Sequence, residues 1–148
     1  MKCYIFDIDG TLANNSHRTR HLLKTPKDWD AYHAEVEGDT LIEHVASIAQ
    51  MLYKNYQQIV FCTGRHDGQR EITESWLDRH CLLNHKPERL YMRKEGDHRP
   101  DYIIKRELLE QIRADGFEPI MAFDDRNSVV KMWRENGVPC AQVAEGDF

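Results

Sequence analysis

Short apolar runs alternate along this chain with stretches in which apolar residues return every three or four positions. Tyr4-Ile5-Phe6, Ile59-Val60-Phe61-Cys62, Arg89–Met92, Pro119–Phe123 and Ala141–Val143 are of the first kind. An unbroken apolar run suits a strand covered by helices on both faces of a parallel sheet. The second kind predicts helices over Thr40–Asn55 (Leu41, Val45, Ile48, Leu52), Gln69–Leu82 (Ile72, Trp76, Leu77), Pro100–Ala114 (Ile104, Leu108, Leu109, Ile112) and Asn127–Asn136. Gly116 and Gly137 supply C-terminal stops for the last two. Strands alternating with helices predict an α/β fold: a doubly wound parallel sheet, in a single domain.

Two segments break this rhythm. Asn14–Lys27 is polar and carries Arg18, Arg20, Lys24 and Lys27, so it reads as a loop. Pro26–His33 reads as a short helical excursion with Pro26 in its first turn. Trp29, Tyr32 and His33 give that excursion one aromatic face, for which packing against the domain body is preferred to stacking on a ligand. Further on, Arg93–Arg99 is a charged loop.

Composition narrows the class. A chain of 148 residues with 41% hydrophobic and 30% charged residues can bury a proper core under a polar surface. A net charge of -5 argues against non-specific coating of nucleic acid, though not against a local basic groove. No apolar run approaches a membrane span, and Met1 stands too near the first strand for a signal peptide; a cytoplasmic protein away from membranes is expected. Cys3, Cys62, Cys81 and Cys140 are scattered and read as reduced, mostly buried thiols. There is no P-loop, and His17 with His21 lacks the further ligands of a zinc site.

Candidate chemistry gathers where strands end. Asp7 and Asp9 are two apart, so on an ideal strand they point the same way. Two carboxylates about 4 Å apart repel by roughly 4 kcal/mol at an effective dielectric near 20, which a bound cation or a shared proton relieves. Two solvated acids in a turn are the alternative. Thr63-Gly64-Arg65 ends the second long strand, Asp124-Asp125-Arg126 ends a later one, and Lys105 lies in the first turns of a helix. Ligands of a doubly wound sheet bind beyond the carboxyl ends of its strands, so these groups are expected to converge. The acids offer hard oxygen ligands for Mg²⁺, while Thr63, Lys105 and Arg65 would hold phosphate oxygens.

The set Asp7-x-Asp9-Gly10-Thr11, Thr63, Lys105 and Asp124-Asp125 resembles the haloacid dehalogenase (HAD) superfamily of phosphatases. The resemblance implies a Rossmann-like HAD fold and an aspartyl-phosphate mechanism. Asp7 would attack phosphorus, and Asp9 would protonate the leaving oxygen and then activate water. Thr63 and Lys105 would steady the phosphoryl group. Mg²⁺ would be held around Asp7, the Ile8 carbonyl, Asp9, Asp124 and Asp125.

Longer blocks are similar to the 3′-phosphatase domain of the phage polynucleotide kinase/phosphatase family. They include Arg93-x-x-Gly96-Asp97-x-Arg99, Asp101 four residues before Lys105, Asp124-Asp125-Arg126-x-x-Val129-Val130-x-Met132-Trp133-Arg134, and the ending from Cys140 to Phe148, in which Ala141 replaces that family's Trp. This resemblance implies removal of a 3′-phosphate from DNA or RNA ends. Arg18, Gly64, Arg65, Arg93 and Asp101 would serve the substrate, with Asp101 and Lys105 free to pair on one helix face. A small helical cap within about residues 13–56 would leave room for a polymer end. No kinase half is visible, so 5′-phosphorylation is not expected; a separate kinase or ligase is a conceivable partner, and a homo-oligomer is left open. The competing readings are a nucleotidase or other small-molecule phosphomonoesterase, and a non-catalytic domain that binds nucleic-acid ends.

Overall fold

The computed structural model describes all residues, Met1–Phe148. Five parallel strands form the central sheet: β1 (Lys2–Phe6), β4 (Gln58–His66), β5 (Leu90–Arg93), β6 (Glu118–Asp124) and β7 (Cys140–Gln142), in spatial order β5-β4-β1-β6-β7. Two further short strands, β2 (Ala13–Asn14) and β3 (Thr40–Leu41), pair antiparallel beside it. The helices are α1 (Trp29–Ala34), α2 (Glu43–Lys54), α3 (Arg70–Arg79), α4 (Asp101–Ala114) and α5 (Asn127–Glu135).

The apolar runs behave as a doubly covered sheet requires. Successive residues of β1 enter opposite cores: Ile5 lies with Val60, Ile104, Leu108, Val129 and Trp133 under α4 and α5, and Phe6 lies with Phe61, Val45, Ala49, Trp76 and Leu77 under α2 and α3. The chain winds from β1 outward to β4 and β5, then returns to β6 and β7 on the other flank. The direction reverses between β1 and β6, which opens the crevice where ligands of such sheets bind.

Several boundaries differ from expectation. The sheet continues through Thr63-Gly64-Arg65 to His66, where a stop at Thr63 is predicted. Ser16–Leu23 is a 3₁₀ helix in place of a loop, and α1 begins at Trp29, with the Asp28 carboxylate accepting from Ala31 N at 3.0 Å. The last part of the range assigned to the cap belongs to the body. Thr40 and Leu41 are strand, and α2 packs Val45, Ala46 and Ala49 into the body core. No helix is long and apolar enough to cross a membrane.

Candidate active site

β1 delivers Asp7 to the crevice, with Asp7 N donating to Phe123 O of β6 at 3.0 Å. The chain then turns on itself: the N–H groups of Thr11, Leu12 and Ala13 all converge on Ile8 O at 3.1, 2.9 and 2.9 Å. Gly10 sits at φ +80, and a Cβ there would lie 2.2 Å from Asp125 Oδ2. Glycine is thus demanded both by the left-handed backbone and by the close approach of a carboxylate. Thr11 Oγ1 donates to Asp7 Oδ2 at 2.9 Å.

The carboxylates of Asp7, Asp124 and Asp125 offer oxygens within 4.8 Å of one another, all buried. Lys105 reaches them from α4, donating from Nζ to Asp7 Oδ1 at 2.7 Å and to Asp124 Oδ2 at 2.8 Å. Asp124 also accepts from Trp133 Nε1 at 3.2 Å and turns its other oxygen to Asp125 N at 2.9 Å, where α5 begins. Burial, and then the neighbouring Asp124, push the Asp7 carboxyl well above the ordinary range, against the pull of Lys105. The same two causes bring Asp125 to about 6. Burial also works against the charge of Lys105, but Asp124 and Asp7 outweigh it and raise its affinity for the proton. Three acids facing one ammonium leave negative charge unmatched. A hard, oxygen-loving divalent cation is what such a donor set fits.

The Ile8 carbonyl and the Asp9 carboxylate, both in the expected metal set, have other partners. The Ile8 carbonyl has two lone pairs and already meets three N–H donors, so it is consumed by the turn. The Asp9 carboxylate does not join the cluster either, because two arginines hold it. Arg65 donates from Nε to Asp9 Oδ2 at 3.0 Å and from Nη2 to Oδ1 at 2.7 Å, and Arg18 Nη2 reaches Oδ1 at 2.9 Å. Burial favours the protonated form of Asp9, but Arg65 and then Arg18 prevail and hold the carboxyl below its ordinary value.

Behind these arginines lies Asp39, a residue the sequence did not single out. It is 4% exposed and accepts from Arg18 Nε at 2.7 Å, from Arg18 Nη2 at 2.8 Å and from Arg65 Nη2 at 3.1 Å. Its carbonyl accepts from Trp76 Nε1 at 2.9 Å. Two arginines and two aspartates thus form a charge-balanced lattice joining the cap to β4. Standing just before a predicted helix, Asp39 looks like an ordinary capping residue; no spacing links it to Arg65, 26 positions away.

Other expected substrate groups have internal duties. Arg93 donates from Nε to Gly64 O at 2.8 Å, from Nη1 to Asp97 O at 2.9 Å and Arg99 O at 2.6 Å, and pairs with Asp101. With both ends of the guanidinium engaged, it clamps the charged loop to the end of β4, where a free phosphate contact is expected. Asp101 pairs with Arg93 and Arg126 rather than with Lys105, because Lys105 is drawn inward by two carboxylates. Thr63 is buried, and its Oγ1 accepts from Arg65 N at 3.1 Å. Gly64 gives its carbonyl to Arg93, and a Cβ there would lie 2.8 Å from Asp101 Oδ1.

A parallel sheet whose reversal point gathers acids from β1 and β6 beside a buried lysine defines the HAD-like hydrolase class. The class C acid phosphatase of Bacillus anthracis shares this fold, with a TM-score of 0.67 and 16% identity over 86% of this chain and 52% of that one. More particularly, the chain belongs to the family of the polynucleotide kinase PNKP phosphatase domain, whose model matches residues 1–148. A chain in the structure of the Pnkp1/Rnl/Hen1 RNA repair complex is 32% identical, with a TM-score of 0.83 over 99% of this chain and 43% of that one. A protein of Autographa californica nuclear polyhedrosis virus, named as a bifunctional polynucleotide kinase/RNA ligase, is 26% identical over 93% of this chain and 18% of its own length. The chain therefore spans less than half the length of these two relatives.

Proposed function

We propose that this domain is a Mg²⁺-dependent polynucleotide 3′-phosphatase acting on DNA or RNA ends. The observation that carries the proposal is the division of the crevice in two: a buried acid cluster with Lys105 around Asp7, and a paired-arginine lattice around Asp9. Names among the relatives that include RNA repair and a kinase/ligase support a nucleic-acid end as substrate, and a separate kinase or ligase as partner.

Asp7 is the nucleophile. Its carboxylate is oriented by Thr11 on one oxygen and Lys105 on the other. Attack on phosphorus forms an aspartyl-phosphate and expels the sugar 3′-oxygen; water then attacks that intermediate and releases phosphate, splitting one hard displacement into two. Asp7, Asp124 and Asp125 would hold Mg²⁺, which when bound neutralises charge on the transferring phosphoryl oxygens. Lys105 adds a fixed positive charge on the same side, and Thr63 adds a hydroxyl from within β4.

Asp9 is the proton carrier. The carboxylate form that Arg65 and Arg18 favour is the one that takes a proton from water in the second step. The first step needs the protonated form, and phosphate oxygens of the substrate provide for it by drawing guanidinium donors away from Asp9. Arg18 and Arg65, buried and paired with Asp9 and Asp39, give positive potential to the side on which the strand leaves, where a polymer end offers further phosphates.

The test compares kcat/KM for a 3′-phosphorylated oligonucleotide, a 3′-mononucleotide and a 5′-mononucleotide. The polynucleotide reading expects the oligonucleotide to lead clearly. Equal rates on all three would instead establish a small-molecule phosphomonoesterase, and no turnover of any of them in Mg²⁺ would establish a non-catalytic end-binding domain.

A further inference from the structure

Trp29 is 50% exposed, whereas Trp76 and Trp133 are 1% and 0% exposed. Packing against the body, the preferred expectation for this face, therefore does not account for the indole. Its neighbours are other rings. On α1, His33 stacks beside Trp29 at a centroid distance of 5.9 Å and 26° between planes, and Tyr32 meets it edge-on at 5.8 Å. His33 in turn meets His66 of β4 edge-on at 5.1 Å, so the rings bridge cap and sheet. Gln69 Nε2 braces the same bridge on His33 O at 3.4 Å.

The inner edge of this face touches the arginine lattice twice. Tyr32 lies 4.2 Å beneath the Arg18 guanidinium, and His66 directly follows Arg65 in β4; both arginines bind Asp9. At its outer edge Lys27 Nζ stands 5.8 Å from the Trp29 ring. An aromatic surface thus runs from the groups around Asp9 out to solvent, flanked by a cation at each end.

The proposed chemistry gives this surface an occupant. Asp9 serves the oxygen to which the strand is attached, so the strand leaves the site on the side where the rings lie. The strand's flat apolar parts are its bases, and every base has a π-face that stacks on an aromatic side chain whatever the sequence, while nearby cations take the backbone. We propose that Trp29, supported by His33 and His66, stacks a nucleobase of the last two nucleotides of the substrate strand. This subsite rests on the polynucleotide reading above.

The experiment uses two 3′-phosphorylated oligonucleotides, one with normal bases and one with abasic sugars at the last two positions, assayed with wild type, Trp29→Ala and Trp29→Phe. Stacking on an aromatic side chain is worth a factor of about 5 to 150. Wild type should lose that factor in kcat/KM when the bases are removed. Trp29→Ala should lose it on the normal strand and show little further loss on the abasic one, while Trp29→Phe keeps much of the preference. Wild type that turns over both strands equally overturns the stacking proposal and leaves the polynucleotide reading standing. Trp29→Ala losing the same factor on both strands overturns it as well. Wild type inactive on the normal strand defeats the polynucleotide reading, and this subsite with it.

Discussion

Asp39→Asn removes one charge from the arginine lattice and nothing from the reacting atoms. In the native protein Asp39 accepts three charge-assisted hydrogen bonds, at 2.7, 2.8 and 3.1 Å, from two guanidinium groups whose side chains are 1% and 3% exposed. An amide has one oxygen to accept with, and its nitrogen would aim donors at arginine donors. Arg18 and Arg65 would then share the single carboxylate of Asp9. Losing one partner of a buried ion pair costs about 3–5 kcal/mol. Asp9 still compensates part of the charge, so the low end, about 3 kcal/mol, is expected. At roughly 2–4 °C per kcal/mol for a chain of this size, Tm should fall by about 6–12 °C. Urea unfolding followed by circular dichroism measures the same loss as a lower midpoint at unchanged slope. Because Arg18 and Arg65 orient Asp9, kcat for the oligonucleotide should fall below wild type even at temperatures where the variant is fully folded. A variant within about 0.5 kcal/mol of wild type in stability, as an unremarkable surface site would be, and equal to it in kcat, would refute the claim that Asp39 organises the site.

Two further outcomes follow from the acid cluster. Asp7→Asn should abolish turnover while preserving the fold, since the amide is a poor nucleophile but relieves repulsion among three buried acids; near-wild-type turnover would remove Asp7 from its assigned role. Stability should also respond jointly to pH and divalent cation. Burial and the neighbouring Asp124 push the Asp125 carboxyl up to about 6 from its ordinary 3.8, so its protonation stabilises the fold below pH 4, and that contribution is lost as pH rises through 6. Asp7 is shifted in the same direction. A cation held by these carboxylates replaces the protons and binds best when they are ionised. Added Mg²⁺ should therefore raise Tm more at pH 7.5 than at pH 5, with about 2.7 kcal/mol expected at 100 times Kd. A thermal shift indifferent to pH would speak against this cluster as the cation site.

The parts of the site that strand ends deliver were legible before any coordinates. Apolar runs locate β1, β4 and β6, and the polar residues that end them fall at one edge of a parallel sheet because all strands of such a sheet point the same way. Asp7 and Asp124 follow from that rule, whereas Thr63 lies inside β4; Lys105 follows from the helical period that buries Ile104, Leu108 and Leu109. Helix boundaries near the cap were less legible. Leu41 shares the helical spacing of Val45 and Ile48, but Thr40 and Leu41 are taken by a strand pairing with Ala13 and Asn14, a contact no local pattern encodes.

What the sequence determined by itself was the repeat of strand and helix, the edge at which chemistry gathers, and the acids and lysine placed there. These depend on backbone period and on which side chains avoid water, and both are local properties. The tertiary structure decided how the charges divide. It placed Asp9 between Arg18 and Arg65, drew Asp39 in behind them, turned Arg93 and Asp101 to each other, and spent the Ile8 carbonyl on a turn. It also left Trp29 in solvent when the period of α1 allowed it to be buried. A charged side chain takes whichever partner the fold brings within reach, and a pairing across 56 residues, such as that of Asp9 with Arg65, exists only once β1 and β4 lie side by side.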